Sequence, residues 1–254
     1  MLSIGKDKAL FIASKLRSEF IYNMAKLEGN TLSFAEAETV IYGTSIAGKR
    51  MSELHQIEHI RDAWDELIEQ VKENRFVCNK YNFCLINHIV SEEENKDSRG
   101  GFRRGTVAIS GTSYSPPLPI ELNALFDDML QRTSMQPPDL RALDIFMESA
   151  RNQYFGDGNK RTALLMMNGL LMSSDYAPIS IDPKDEVAYR SLLIGYYETE
   201  EKADFRDFLL TQQQKVLTRF HIDDPAIIRQ SIQSGSTIPY GSGSSSEEDI
   251  GFQR

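Results

Sequence analysis

Six consecutive residues, Gly156 to Arg161, stand directly before a long apolar run in the sequence. Asp157 could ligate Mg²⁺ through oxygen, the ligand atom that hard cations favour. Gly158 has no side chain, so its backbone could approach a phosphate closely. Asn159 adds an amide donor, and Arg161 adds a planar guanidinium suited to bidentate phosphate contact. We therefore interpret this stretch as a candidate cradle for a nucleotide phosphate and a metal ion.

A simple turn before a helix is an alternative interpretation, because Asp, Gly and Asn are common turn residues. Composition alone favours the simple turn over the cradle. It leaves Lys160 and Arg161 at the positive end of the helix dipole, where cations are unfavourable unless an anion compensates them. These two cations therefore weaken the turn interpretation.

Most of the remaining sequence is predicted to be helical, so the candidate loop lies between two helices, the second of which begins at about Asn159. Apolar residues recur at three- and four-residue steps, a pattern typical of amphipathic helices. Ser33 and Glu36 form a predicted capping box that opens one helix. The segment 162–175 is apolar nearly all round, so we expect it to be the central, buried helix. The predicted helical segments are 8–29, the stretch after Ser33, 52–73, 80–90, 120–133, 138–153, 162–175 and one or two helices within 183–217.

The β signal of the sequence is confined to 106–117. Residues with branched Cβ atoms stand on both sides of a Gly-Thr-Ser turn, and Pro116 and Pro117 end the segment. We therefore predict a short β-hairpin here. The polar stretch 91–105 that precedes it is predicted to be a loop.

Composition limits the class of protein. A chain of 254 residues with 41% hydrophobic and 26% charged residues is typical of a globular protein, and its net charge of −9 argues against nonspecific nucleic-acid binding. Cys78 and Cys84 have neither CxxC nor zinc spacing, so we expect buried, reduced thiols. Residues 1–20 carry charges every few positions, unlike a signal peptide or a membrane span. We expect a cytoplasmic protein with no nucleic-acid or membrane partner.

The stretch from Phe155 to Arg161, Phe-Gly-Asp-Gly-Asn-Lys-Arg, closely resembles the signature loop of the Fic/Doc family. That signature usually reads His-x-Phe-x-(Asp/Glu)-(Gly/Ala)-Asn-(Gly/Lys)-Arg. Residues 26–43, with their Glu-Gly-Asn, and 100–119, with a Gly-x-x-Arg stretch and a Pro-Pro exit, resemble other parts of the family. The resemblance covers most of the chain. It implies an all-α, Fic-fold helical bundle with a short β-hairpin flap over the active loop.

The same resemblance implies ATP and Mg²⁺ as ligands. Most members of the family transfer AMP from ATP to a Ser, Thr or Tyr hydroxyl of a target protein, whereas Doc-like members transfer the terminal phosphoryl group. The flap holds the target segment by strand pairing, here between about Thr106 and Ser115. The residues at the family's ligand and anchor positions are Asp157 for the metal, Gly158, Asn159, Lys160 and Arg161 for the phosphates, and Phe155 for the loop.

Gln153 stands two residues before Phe155, where the family places its catalytic His. Glutamine cannot take up a proton near neutral pH, and losing a positioned general base typically costs about 10²–10⁴-fold in rate. The chain's histidines lie far from the loop in sequence, with His88 as the candidate substitute base. Gln153 is better suited to bind and orient than to catalyse.

Two further positions depart from the family pattern. Adenylylating members often carry a second Arg, for the γ-phosphate, where this chain has Leu164; with Lys160, this brings the motif nearer to the Doc variant. Many members also insert a Glu from a (Ser/Thr)-x-x-x-Glu-(Gly/Asn) segment as an inhibitor. Glu28 matches that Glu, although Met24 replaces the hydroxyl residue, and Arg161 is the cation expected to face it. Alternatively, Glu28 simply caps or solvates a helix end.

The leading hypothesis is an ATP–Mg²⁺-binding Fic-domain protein, related to AMP transferases, whose activity is impaired by Gln153. The alternatives are an inactive nucleotide-sensing or partner-binding pseudoenzyme and a Doc-like protein phosphotransferase; a DNA-binding regulator is disfavoured by the acidic charge. The oligomeric state is open, with a homodimer as one alternative. Three regions are predicted. Residues 1–75 contain N-terminal helices with the inhibitory-type segment, and residues 76–232 form a Fic core with the flap at about 100–118 and the loop at 153–161. Residues 233–254 form a disordered tail.

Overall fold

Ten α-helices form the fold in a computed structural model of the chain, which describes residues 1–91 and 99–222. These described residues contain no β-sheet, and one isolated bridge joins Ser3 and Tyr176. The all-α prediction is therefore confirmed. The helices are α1 Lys6–Lys15, α2 Arg17–Leu27, α3 Phe34–Ile41, α4 Met51–Lys72, α5 Lys80–Val90, α6 Leu122–Ser134, α7 Pro138–Asn152, α8 Asn159–Ser173, α9 Glu186–Thr199 and α10 Ala203–Arg219.

Helix α8 lies at the centre of the bundle, as its apolar sequence predicts. Every residue from Arg161 to Met172 is buried, and the helix packs against α1, α4, α5 and α7. Gly169 permits one close approach, because a Cβ atom there would lie 2.4 Å from the Phe76 ring. The candidate loop that precedes α8 is thus fixed to the most buried element of the protein.

The predicted helix over 8–29 is two helices instead of one. It is interrupted at Leu16, whose φ of −99° and ψ of 15° lie outside the helical values. Apolar side chains continue on both sides of the break, with Ala13 buried in α1 and Phe20 buried in α2. Because the three- and four-residue spacing runs across Leu16, the sequence pattern does not reveal the interruption.

Helix α3 begins with the predicted capping box. The Ser33 hydroxyl accepts a hydrogen bond from the Glu36 N–H, and the Glu36 carboxylate accepts one from the Ser33 N–H at 2.8 Å. Lys49 pairs with the same carboxylate at 2.7 Å. The contacts from Lys49 and Ser33 lower the pKa of Glu36 to about 2. The prediction from residue spacing is therefore confirmed in full.

The predicted β-hairpin at 106–117 is wrong as secondary structure. The segment, which we call the flap, turns at Ser110 and at Gly111 with a φ of +85°, but none of its described residues forms a strand. Its contacts go to α9 instead of across a hairpin, since the Thr112 hydroxyl donates to Glu198 at 2.8 Å. Two prolines at the end of the segment also remove backbone donors that a second strand needs.

A buried ionic cluster, which we call the α7 cluster, joins α7 to its neighbours. Asp144 is fully buried and pairs with Lys202 and Arg206, while Glu148 pairs with Lys202 and with Arg132 of α6. The contacts of Glu148 lie at 2.7 Å to Lys202 and 2.8 Å to Arg132, and Asp144 lies 2.9 Å from Lys202. The cluster fixes the position of α7, whose last residue precedes Gln153.

Other sequence-based expectations are settled only in part. Cys78 and Cys84 are free and half-buried rather than fully buried, and burial raises the pKa of the Cys78 thiol to about 12. No helix within the described ranges is both long and apolar enough to cross a membrane. The predicted tail 233–254 lies outside the described residues, and the division at 75 and 76 stays a prediction.

Candidate functional site

The loop between α7 and α8 is bounded by two residues in the left-handed region. Gln153 ends α7 with a φ of 50° and ψ of 60°, and Gly158 precedes α8 with a φ of 72°. The first backbone N–H groups of α8 have no acceptor within the helix. The first regular helical hydrogen bond of α8 runs from the Thr162 N–H to the Gly158 carbonyl at 2.8 Å. This end of α8 therefore presents donors and positive dipole charge to an anion.

Gln153 uses both ends of its side-chain amide inside the protein. Its Nε2 donates to the Ala150 carbonyl at 2.6 Å, and its Oε1 accepts from Asn159 at 3.1 Å. Gln153 thus braces the loop through neutral hydrogen bonds. These contacts agree with binding and orientation rather than proton transfer.

Asn159 is also a brace, which changes the role predicted for its side chain. Its Oδ1 accepts from the Phe155 N–H at 2.8 Å, and its Nδ2 donates to the Phe155 carbonyl at 2.8 Å and to Gln153. Both amide hydrogens are therefore used within the loop. The side-chain amide that the sequence suggests as a phosphate donor is thus engaged within the loop.

Asp157 and Arg161 form an ion pair at the start of α8. Arg161 Nη2 lies 3.1 and 3.0 Å from the two carboxylate oxygens, and its Nη1 donates to the Val90 carbonyl at 2.9 Å. The arginine side chain is only 4% exposed, whereas the aspartate is 28% exposed. The structure thus brings the predicted metal ligand and the predicted phosphate ligand into direct contact.

Asn87 of α5 and Ser91, the residue after that helix, support the loop. Asn87 Nδ2 donates to the Asp157 carbonyl at 2.9 Å and contacts the Thr162 hydroxyl at 3.2 Å. A Cβ atom on Gly158 would lie 3.1 Å from Ser91 Oγ and 3.2 Å from Asn87 Nδ2. Glycine is therefore required at 158 by both its left-handed φ and this close packing. The sequence analysis did not identify Asn87, which carries no local motif.

Aromatic packing anchors the loop in the core. Phe155 is 2% exposed, and its ring meets the Phe102 ring edge to face at 5.5 Å. Tyr154 is fully buried and stacks on Phe102 at 5.1 Å between ring centroids. The structure therefore places Phe155 where an anchor of the loop would lie.

Arg103 ties the flap to the loop, a role that the sequence analysis missed. Its Nε donates to the Gln153 carbonyl at 2.6 Å, its Nη1 donates to the Gly105 carbonyl at 2.9 Å, and its Nη2 donates to the Pro117 carbonyl. One guanidinium thus holds both ends of the flap against the end of α7. Desolvation at this nearly buried position lowers the pKa of Arg103.

Glu28 faces Lys160 rather than Arg161, which corrects the expected pairing. Its Oε1 lies 3.1 Å from Lys160 Nζ, with side chains 20% and 32% exposed. Leu164 is 6% exposed and belongs to the hydrophobic core. The Leu164 side chain therefore faces the interior and offers no cation to Glu28.

Three clefts border Gln153 or residues 157–161. A small one of about 120 Å³ lies between Glu28, Gln153 and the start of α8. A second, of about 580 Å³, opens on the α2–α3 and α4 side and includes His55. A third, of about 300 Å³, lies between the flap and α9. His88, the expected substitute base, is exposed on α5 and lines none of the three.

The single carboxylate of the loop, that of Asp157, suits a metal ion whose other ligands are phosphate oxygens and water. Within the described ranges, no three His, Cys, Asp or Glu side chains are grouped to hold a metal by themselves. Mg²⁺ is commonly bound through one or two carboxylates together with phosphates and water. Asp157, partly exposed beside Arg161, can supply that one carboxylate.

Comparison with known proteins identifies relatives of this site and fold. Residues 57–171 match the sequence model of the Fic/DOC family. The chain is 28% identical over 199 residues to the protein adenylyltransferase Fic of Culex quinquefasciatus, and likewise to that of Aedes aegypti, covering 75% of this chain and 38% of each relative. It thus spans well under half the length of these curated relatives.

Solved structures show the same fold. Fic-1 of C. elegans, residues 134–508, superimposes with a TM-score of 0.71 at 19% identity over 87% of this chain and 67% of the other. A Fic domain containing signaling protein from Bacteroides thetaiotaomicron gives a TM-score of 0.69 at 19% identity over 82% and 86%. The predicted helical bundle is therefore confirmed as a Fic fold.

Proposed function

Since residues 57–171 of this chain match the Fic/DOC family, we propose that it binds ATP with Mg²⁺ and is related in function to transferases of AMP. The acceptor in such a reaction is a Ser, Thr or Tyr hydroxyl of a target protein. The observation that carries the proposal is the ion pair between Asp157 and Arg161 at the N-terminus of α8, open to clefts on both sides.

The phosphates of ATP bind at the start of α8. Its terminal N–H groups, the backbone of Gly158 and the guanidinium of Arg161 form a donor set suited to anionic oxygens. Asp157 would hold Mg²⁺, which would supply charge neutralisation to the phosphates. Arg161, in contact with Asp157, would lie beside the same phosphate oxygens.

The nucleoside occupies the cleft between the flap and α9. This cleft is lined by the aromatic and aliphatic side chains of Ile109, Tyr189, Leu193 and Tyr197, and it continues to Gln153. A flat, apolar base fits such a lining, since stacking on aromatic rings is insensitive to base edges. The nucleotide would thus lie with its base under the flap and its phosphates on the loop.

The target hydroxyl reaches the loop beside the flap, between about Thr106 and Ser115. Gln153 orients it or the α-phosphate through the Nε2 hydrogen that is not given to Ala150, and it does not remove the proton. Glu28 acts as an inhibitory contact by holding Lys160 across the entrance to the loop. Transfer is therefore slow unless another group accepts the proton.

A pseudoenzyme that senses nucleotide or binds a partner is the second candidate function. It is favoured by the contacts of Gln153, whose amide ends are both engaged. Among the described residues, no histidine lines the small cleft around it. A Doc-like phosphotransferase is the third candidate, supported by Lys160 and Leu164 in the motif.

Calorimetry with ATP, with and without Mg²⁺, tests the proposal. We expect Mg²⁺-dependent binding that is lost in Asp157→Asn and kept in Asp207→Asn, a matched change on the exposed side of α10. Thermal melts of both variants control for folding. Absence of ATP binding by the parent protein under both conditions would refute the nucleotide assignment.

Intact-mass measurement then separates the candidate functions. ATP labelled at the α-position leaves its label on protein after AMP transfer, whereas label only from the γ-position indicates phosphoryl transfer. Binding without either label supports the pseudoenzyme.

A further inference from the structure

Another cleft borders the flap, and none of its lining residues belongs to α9. It has a volume of about 450 Å³ and is formed by the start of the flap, Gly105 to Val107, together with Gly156 of the loop. Three guanidinium groups, those of Arg99, Arg103 and Arg104, also line it. We call it the arginine cleft.

The cations of the arginine cleft are not neutralised by carboxylates within the described residues. Arg103 donates only to carbonyl oxygens of the loop and flap. Arg99 donates to the carbonyls of His88 and Ile89 at 3.0 and 3.5 Å, at the end of α5. Arg104 is exposed and makes no ion pair there. A protein with a net charge of −9 thus concentrates positive charge beside its candidate site.

The flap backbone next to these arginines is free to pair. Residues 106–109 make no hydrogen bond to the rest of the described protein, through either their N–H or their carbonyl groups. Their side chains alternate, since Thr106 and Ala108 are exposed whereas Val107 and Ile109 are half-buried. This alternation is that of a strand edge, which can accept a strand from another chain.

We propose that the arginine cleft selects target segments that carry acidic side chains next to the modified hydroxyl, through Arg99 and Arg104. The inference rests on the proposed function, and it adds the class of target. The target backbone pairs with 106–109 while its carboxylates contact the two guanidinium groups, a geometry in which charge-assisted and bidentate contacts are strong. Gly156 lies in the same cleft, so the bound segment is adjacent to the loop.

Fluorescence anisotropy with short labelled peptides tests the inference on the full chain. Three peptides share one sequence around a central threonine and differ at two flanking positions, which are both Glu, both Gln or both Lys. We expect the Glu peptide to bind about tenfold more tightly than the Gln peptide, the Lys peptide to bind most weakly, and the Glu preference to fall with added salt.

Charge variants give the control. Arg104→Gln and Arg99→Gln should remove most of the Glu preference, whereas Arg75→Gln, a matched change at a surface arginine that pairs with Glu73, should not. Arg104→Glu should favour the Lys peptide over the Glu peptide. Reversal of preference cannot arise from a folding defect, which would weaken every peptide alike.

Several outcomes would overturn the inference. These are equal binding of the Glu and Gln peptides, no binding of any peptide, or an equal effect of Arg75→Gln. Glu92, Glu93 and Glu94 lie outside the described residues and precede Arg99 in sequence. If the Glu peptide bound only after these three were changed to Gln, the chain's own acidic run would be the occupant. Calorimetry with ATP on the same preparations shows separately whether the proposed function holds.

Discussion

At the scale of single residues, Gln153 combines two properties that the sequence does not reveal together. It lacks a titratable group, and it completes hydrogen bonds to Ala150 and Asn159 that close the loop. Its backbone is left-handed, with a φ of 50°, a region in which His and Asn are several-fold enriched among non-glycine residues. The backbone at 153 is therefore already suited to a histidine.

Gln153→His should raise modification of protein by about 10²-fold or more, since a positioned imidazole supplies the missing general base. Labelled ATP and intact mass measure the product, which we expect first on the protein itself. Gln153→Ala is the control, because it breaks the same two side-chain hydrogen bonds without adding a base. If His and Ala variants are equally inactive, the pseudoenzyme explains the site better.

Arg161→Ala should weaken ATP binding at least tenfold more than Lys160→Ala does. A charge-assisted contact of Arg161 to phosphate contributes about 1.5–3 kcal/mol, whereas Lys160 pairs with Glu28 in the absence of ligand. Calorimetry gives both affinities. Arg161 is buried and also donates to the Val90 carbonyl. Arg161→Lys is therefore measured as well, because it keeps the positive charge but removes the bidentate guanidinium contact. It thus separates loss of that contact from unfolding of the protein. Equal losses at 160 and 161 would contradict the assignment.

At the scale of elements, the α7 cluster fixes the helix that ends at the candidate loop. Burial alone would raise the pKa of Asp144, but hydrogen bonds from Arg206 and Lys202 outweigh it and lower the pKa. A carboxylate with a lowered pKa in the folded state contributes stability above its unfolded pKa of about 3.9, and that contribution is lost as pH falls through the folded value. The pairing of Asp144 therefore stabilises the fold around α7 at neutral pH, and this contribution is lost in acid.

Asp144→Asn should lower the free energy of unfolding by about 3 kcal/mol at neutral pH, because it leaves partly buried cations without their partner. The difference from the parent should shrink as the pH falls below the unfolded pKa of about 3.9, and it should vanish below the lower folded pKa, where the parent's carboxylate is itself protonated. Urea unfolding at several pH values measures both effects. Asp65→Asn, at an exposed pair with Arg17, should cost less than about 1 kcal/mol. A pH-independent loss in Asp144→Asn would contradict this account.

The elements differ in how far sequence alone predicts them. The capping box of Ser33 and Glu36 and the start of α8 follow from local spacing, so they were predictable. The break at Leu16 was not, because the apolar pattern crosses it. Arg103 and Asn87 were missed because their partners lie far away in sequence, at Gln153 and Asp157. The flap was wrongly predicted as a hairpin, since its side chains bond to α9.

At the scale of the whole molecule, the ten helices share one hydrophobic core that runs from Ala9 to Leu217. The stretch after Ser234 is rich in Ser and Gly and has few apolar residues. Truncation after Ser234 should therefore leave the melting temperature within about 1–2 °C of the full chain, since surface changes are usually within about 0.5 kcal/mol. Calorimetric melts compare the two chains. A fall of many degrees would show that the tail packs on the core.

Arg103 has a consequence for how two ligands sense each other. It bonds at once to both ends of the flap and to the carbonyl of Gln153, so displacement of the flap also perturbs the end of α7 and the loop. Coupling between two binding equilibria is reciprocal. Under the proposed function, whatever factor a docked target applied to the affinity for nucleotide, nucleotide would apply to the affinity for target, and Arg103 is the side chain that contacts both regions.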